Sequence, residues 1–202
     1  MTFDIRLVNW AADCAASLLS PLDTRWLHVQ GVAQRARWVG QIFDDDNRFC
    51  LIAAACLHDI GCAPSLIKTG FHPLDGACYL RSLGYERLAC LVAHHSEADV
   101  EASLRGYGSA FAEFPRERSA VADALTYCDM TTGPTGKPLS FRERTAEIFQ
   151  RYGETDVVSE ALRRSRPSLS LAVARTTRRL RKCGLLEEAS QSPAGLSARD
   201  NA

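Results

Sequence analysis

His58 and Asp59 are adjacent, and they follow directly on an apolar, Ala-rich stretch, residues 48–59, that reads as a buried helix. An imidazole nitrogen and a carboxylate oxygen presented together at a helix end can grip one divalent cation, and a mixed N/O site of this kind suits Mn, Fe, Co, Ni or Zn. A carboxylate at a helix C-terminus opposes the helix dipole, and a bound cation offsets that mismatch. Two ligands do not complete a site, so the rest must come from elsewhere in the chain. The candidates are few. There are five histidines in 202 residues, and all lie between His28 and His95: His28, His58, His72 and the pair His94-His95. Asp129, at the end of an apolar stretch, is a further carboxylate, six positions beyond Asp123 and so on a different helix face.

The elements that must position these groups read as helices almost throughout. Apolar residues recur at spacings of three and four over 3–19, with Pro21 as the stop. Asp23 or Thr24 can cap a second helix running to about Phe43, and the acidic run Asp44-Asp45-Asp46 can cap the next. A loop over 60–73 carries Gly61, Pro64 and Gly70, and helices follow at about 74–83 and 85–95. Pro115 suits the first turn of a helix continuing to about Asp129. Residues 131–138 form a loop that could offer backbone amides, two hydroxyls and Lys137 to a phosphate. Ser140 and Glu143 have capping-box spacing for a helix to Tyr152. A helix is expected at 155–165, and Pro167 should open a last one to about Cys183. No alternating strand pattern appears, so the expected class is all-α. One helical domain is expected over 1–186, with its core at about 22–135 and C-terminal helices over 139–184, followed by a small, polar, disordered tail at 187–202.

Composition narrows the partners. The 24 basic and 24 acidic side chains balance, so a binder held to nucleic acid by phosphate electrostatics is not expected. The charge is uneven, however: residues 163–182 carry eight basic side chains and no acid. That is either a solvated helix face or a surface for an anionic partner. The eight cysteines include no C-x-x-C pair, and several fall in apolar runs, which fits buried thiols in a reducing, cytoplasmic compartment. Cys62 stands apart, in the loop beside His58-Asp59. The longest run free of polar residues, Phe49 to Leu57, is too short to span a bilayer, and no signal peptide is visible.

The order His28, His58-Asp59, Asp129, with His58-Asp59-Ile60-Gly61 as its centre, resembles the H…HD…D pattern of HD-domain (HDIG-type) metal-dependent phosphohydrolases, over roughly residues 22–135. Phe71-His72-Pro73-Leu74-Asp75-Gly76 and Val92-Ala93-His94-His95-Ser96 are similar to segments of the subset that holds two metals. The resemblance implies an HD-type helical bundle and one or two divalent ions (Mn, Fe, Co, Ni, Zn or Mg). It places the first on His28, His58, Asp59 and Asp129. The second falls on His72, His94 and His95, with Asp59 bridging and serving catalysis; His94 continues the inward register from Leu91. The implied substrate is a small phosphorylated molecule, a nucleotide or related phosphoester or phosphoanhydride, attacked by metal-activated water. The chain departs from the family after Gly61, where many members carry a Lys or Arg and this one has Cys62-Ala63-Pro64. That departure motivates an alternative: a catalytically silent module that binds a nucleotide or metal. Arg87, Arg105, Arg142 and Arg144 are further phosphate-binding candidates, unranked by sequence.

Overall fold

The computed structural model describes residues 3–186; the expected tail at 187–202 lies outside them. Among the described residues the chain is all-α, and its only extended pairing is an isolated antiparallel bridge between Thr132 and Pro138. The helices are α1 (Ile5–Leu19), α2 (Thr24–Val39), α3 (Asp45–Leu57), α4 (His72–Ser82), α5 (Glu86–His94), α6 (Ala98–Leu104), α7 (Gly108–Ala112), α8 (Ala120–Met130), α9 (Phe141–Tyr152) and α10 (Val157–Lys182).

The core is built around α3. Asp44 caps it by accepting the Asn47 amide, and every residue from Cys50 to Leu57 is buried. Its three consecutive alanines, Ala53 to Ala55, let α1, α2, α5 and α8 close in on several sides. Burial of Leu51 and Leu57, both fully enclosed, is worth about 1.5–3 kcal/mol each. A helix with no free face from Cys50 onward holds its C-terminal end still, and His58 and Asp59 occupy that end.

One cap and three boundaries differ from the sequence reading. Asp23 stands at the N-cap of α2 with φ +32 and makes no side-chain capping bond; its carbonyl accepts the Leu27 amide instead. His72 and Pro73 form the first turn of α4, where a missing proline N–H costs nothing. Pro115 does not start a helix: α8 begins at Ala120, because Ser119 caps the Ala122 amide. Finally, Pro167 lies inside α10, which is one helix where two were expected. Pro167 and Arg163, whose carbonyl loses its helical donor to the proline ring, are both exposed, so water can satisfy that oxygen. The capping box of Ser140 and Glu143 forms as expected.

Candidate metal centre

Three imidazoles converge on the end of α3 in one manner. His58 Nδ1–H donates to the Ala55 carbonyl (2.8 Å), His28 Nδ1–H to the Gly133 carbonyl (3.1 Å) and His95 Nδ1–H to the Val92 carbonyl (2.6 Å). Each bond fixes the ring and leaves Nε2 facing inward, the usual outer support of a metal-binding histidine. His58 Nε2 is buried with no hydrogen-bond partner. His72, from the first turn of α4, reaches the same centre with its Nε2 3.4 Å from that of His95.

Asp59 lies between these rings. Its Oδ2 is 3.4 Å from His58 Nε2 and 3.9 Å from His28 Nε2; its Oδ1 is 3.0 Å from His72 Nε2 and 3.9 Å from His95 Nε2. Asp129 Oδ1 is 3.1 Å from His28 Nε2. Two groups of donor atoms result, His28–His58–Asp129 and Asp59–His72–His95, each with its atoms within 4.8 Å of one another. Imidazole lone pairs and carboxylate oxygens thus face each other across buried space. A proton, a donating water or a cation can satisfy that arrangement, and the nitrogen–oxygen donor set fits a divalent transition metal.

The electrostatics agree. Burial alone would raise the Asp59 carboxyl, but the Arg25 guanidinium and the His58 and His72 rings outweigh it and hold the group well below the usual carboxylate range. For Asp129, burial is likewise outweighed by His28, His58 and Arg144. Burial opposes a charged His58, yet Asp59 and Asp129 raise its pKa; what draws a proton there draws a cation equally. Burial, with His72 and His58 beside it, pushes His95 down to about 4, leaving a neutral imidazole free to ligate at neutral pH.

Close backbone contacts set the spacing. A Cβ on Gly61 would stand 2.1 Å from the His72 carbonyl oxygen, so only glycine lets the start of α4 lie against the turn after Asp59. A Cβ on Gly31 would stand 2.4 Å from the Gly136 carbonyl oxygen, so the 131–138 loop is pressed onto α2 one turn beyond His28. That contact delivers the Gly133 carbonyl to His28. The loop is a support: the Thr131 and Thr132 hydroxyls donate to the Tyr127 and Cys128 carbonyls and are not free for a phosphate.

His94 is not brought to the centre. Its Nε2 lies 2.7 Å from the Phe114 carbonyl oxygen and its ring meets Phe111 edge-on at 4.8 Å. The register from Leu91 does run inward, but toward the apolar core; His95 reaches the centre because α5 ends at His94 and His95 turns extended, with ψ 141. Asp123 pairs with Arg175 at the surface, away from the site. Cys62 stays a thiol, pushed up to about 12 by burial and the Asp59 carboxylate. Arg87 pairs with Glu117 and Arg105 with Glu101, and Arg142 is exposed.

Three contributors escaped the sequence reading or its ranking. Arg25, one helical turn before His28 on α2, donates to Asp59 Oδ2 (2.7 Å). It puts a guanidinium beside Asp59, and its i,i+3 spacing from His28 was the available signal. Ser96 donates to Asp129 Oδ2 (2.5 Å) from a left-handed conformation, φ 49, followed by Glu97 at φ 61. Two such non-glycine residues together cost free energy, of order 1–3 kcal/mol each, that the surrounding contacts must offset. Arg144 of α9 is buried, 3.6 Å from Asp129, with no sequence signal to separate it from the exposed arginines.

A helical bundle with a buried His/Asp cluster of this composition defines a candidate divalent-metal protein. Residues 25–133, more than half of the chain, match the model of the HD domain family, and the chain belongs to that family. Comparison with curated proteins and with solved structures returns no match.

Proposed function

We propose that the protein is a metal-dependent phosphohydrolase acting on a nucleotide or related phosphoester or phosphoanhydride. The observation that carries this reading is Asp59, whose two oxygens face two separate imidazole groups around the unpartnered His58 Nε2. In the proposed site His28, His58, Asp59 and Asp129 hold one cation, and His72, His95 and Asp59 a second. Bound there, divalent ions supply an acidified water and positive charge for phosphoryl oxygens.

The chain's own residues shape the rest. Asp59 is ionised throughout the neutral range, so its part is to orient the attacking water rather than to store its proton. Arg25 is 27% exposed on the cavity wall, beside His28, Asp59 and His72, and is placed to meet a phosphoryl oxygen as well as Asp59. A good leaving group, such as a nucleotide or pyrophosphate, reduces the need for a general acid. Arg25 puts a cation beside Asp59 where the loop after Gly61 has none, which supports the hydrolase reading over a silent module. The eight thiols are all free, which supports a reducing, cytoplasmic setting; no helix among the described residues is long and apolar enough to cross a membrane.

The test is metal analysis of the purified protein, with a hydrolysis screen over nucleotides and dinucleotides in Mn, Fe, Co, Ni, Zn and Mg. Stoichiometric metal and turnover of at least one substrate are expected. Metal without product across the panel would overturn the hydrolase reading, and full metal content in both His58→Ala and Asp59→Ala would overturn the site.

A further inference from the structure

Beside the metal centre lies a larger cavity of about 560 Å³, a size suited to a small-molecule ligand. It is bounded by the end of α5, residues 116–119, the start of α8, and α10. His95 and Glu97 line both this cavity and the one at the metal centre, so only the short turn that carries them separates the two.

Its walls are cationic. Arg116, Arg118, Arg175 and Arg179 face it, against Glu97, Glu117 and Asp123. All three acids are already engaged: Glu97 with Arg116, Glu117 with Arg87 and Asp123 with Arg175. Arg118 and Arg179 have no acidic partner among the described residues, and both are exposed. A neutral donor is spare as well. Thr126 lines the cavity at 5% exposure, and its hydroxyl makes no hydrogen bond among the described residues. The first turn of α8 adds the positive end of its dipole through Ala120. An anion entering here meets a positive field, two unpaired guanidiniums and a hydroxyl able to donate.

We propose that this cavity, adjoining the metal centre, binds the phosphate group of a small molecule without needing a metal. The proposal goes beyond the hydrolase reading and does not rest on it. It also gives part of the basic 163–182 run a purpose, since Arg175 and Arg179 of α10 face the cavity.

The experiment is calorimetric titration of the full chain, stripped of metal with EDTA, with pyrophosphate as the probe. Saturable binding is expected, weakened at least tenfold in the double variant Arg118→Ala/Arg179→Ala and unchanged in Arg166→Ala, an exposed arginine of α10 outside the cavity lining. Both arginines are exposed and unpaired, so the double variant should melt like the parent; a melting curve checks this. Absence of saturable binding, or binding that ignores the double variant, overturns the proposal. Since no metal is present, a failed hydrolysis screen leaves the result intact. With metal restored, two outcomes identify the source of the anion. A raised KM at constant kcat for a pyrophosphate-containing substrate in the double variant marks the cavity as the far end of the substrate site. A change in the kcat for bis(p-nitrophenyl) phosphate on adding pyrophosphate, lost in the double variant, marks a separate effector. Either one supports an anion site here.

Discussion

Gly61→Ala tests whether a single backbone contact sets the spacing of the centre. The added Cβ would stand 2.1 Å from the His72 carbonyl oxygen and 2.5 Å from the Gly76 amide nitrogen. Both are backbone atoms, so no side chain can swing aside. Ordinary contact begins near 3.4 Å, so α4 and the turn after Asp59 must part by about 1.3 Å. His72 Nε2, now 3.0 Å from Asp59 Oδ1, would then lie about 4.3 Å away if the helix moved as a body. Overpacking of this kind costs about 1–3 kcal/mol, or roughly 2–12 °C in Tm for a chain of this size. Displacement of a reacting or ligating group by about 1 Å costs on the order of a hundredfold in rate. The assays are thermal melting, metal titration and turnover. A lower Tm is expected, with weakened binding at the His72–His95 group and metal retained at the His28–His58–Asp129 group. A variant that melts with the parent and binds both ions with parental affinity would refute the reasoning, because the backbone contact would then not be holding His72 in place.

Other expectations follow from single contacts. Ser96→Ala removes the hydroxyl donor to Asp129; loss of a partner outside the metal ligands typically costs 10–100-fold in metal affinity, read by competition with a chelator. Arg25→Ala leaves Asp59 buried without its closest cation, and should destabilise the metal-free protein by about 1–3 kcal/mol after discounting for the partial exposure of Arg25. The loss should shrink when metal is added; an equal loss in both states would show that Arg25 does not compensate Asp59. Pro167→Ala restores a helical N–H within α10 and should raise Tm by several degrees in a melting experiment. Thiol titration at pH 8 should find Cys78 and Cys183 fastest, since both are exposed. Cys50 and Cys62, pushed up to about 12 by burial, should react only on unfolding.

Most of the helices were legible because their signals are local: an apolar stripe, a capping residue, a glycine or proline at an end. Ser140 and Glu143 needed nothing beyond their own spacing. The misread boundaries were decided at a distance or by competition. Pro167 reads as a helix start, but the packing of α10 along α8 and α6 carries the helix through it. Ser119 takes the cap that Pro115 appeared to announce. The residues of the candidate site were legible as types because few histidines exist to choose from. Their directions were not. His94 and His95 are neighbours in sequence, and which one turns to the centre depends on where α5 stops, a fact held in the left-handed turn at Ser96 and Glu97. Arg144 was one arginine among many until α9 packed against the end of α8.

The centre is assembled largely from helix ends, and this explains its arrangement. His58 follows the last turn of α3, His72 opens α4, and His95 follows α5. At a helix terminus the backbone has groups without helical partners and is free to change direction. Imidazoles anchored there can converge from different elements, as rings along one helix cannot. His28, in the middle of α2, and Asp129, in the last turn of α8, are held instead from outside their helices: His28 by the Gly133 carbonyl and Asp129 by Ser96. Both supports lie on connecting segments that are themselves fixed by close contact or by ion pairing, Gly136 against Gly31 and Glu97 to Arg116. The rigidity of the site therefore rests on these connections as much as on the helices. Substitutions at Gly31, Gly61 or Ser96 should accordingly damage the centre more than truncation of an exposed helix residue such as Leu171 on α10.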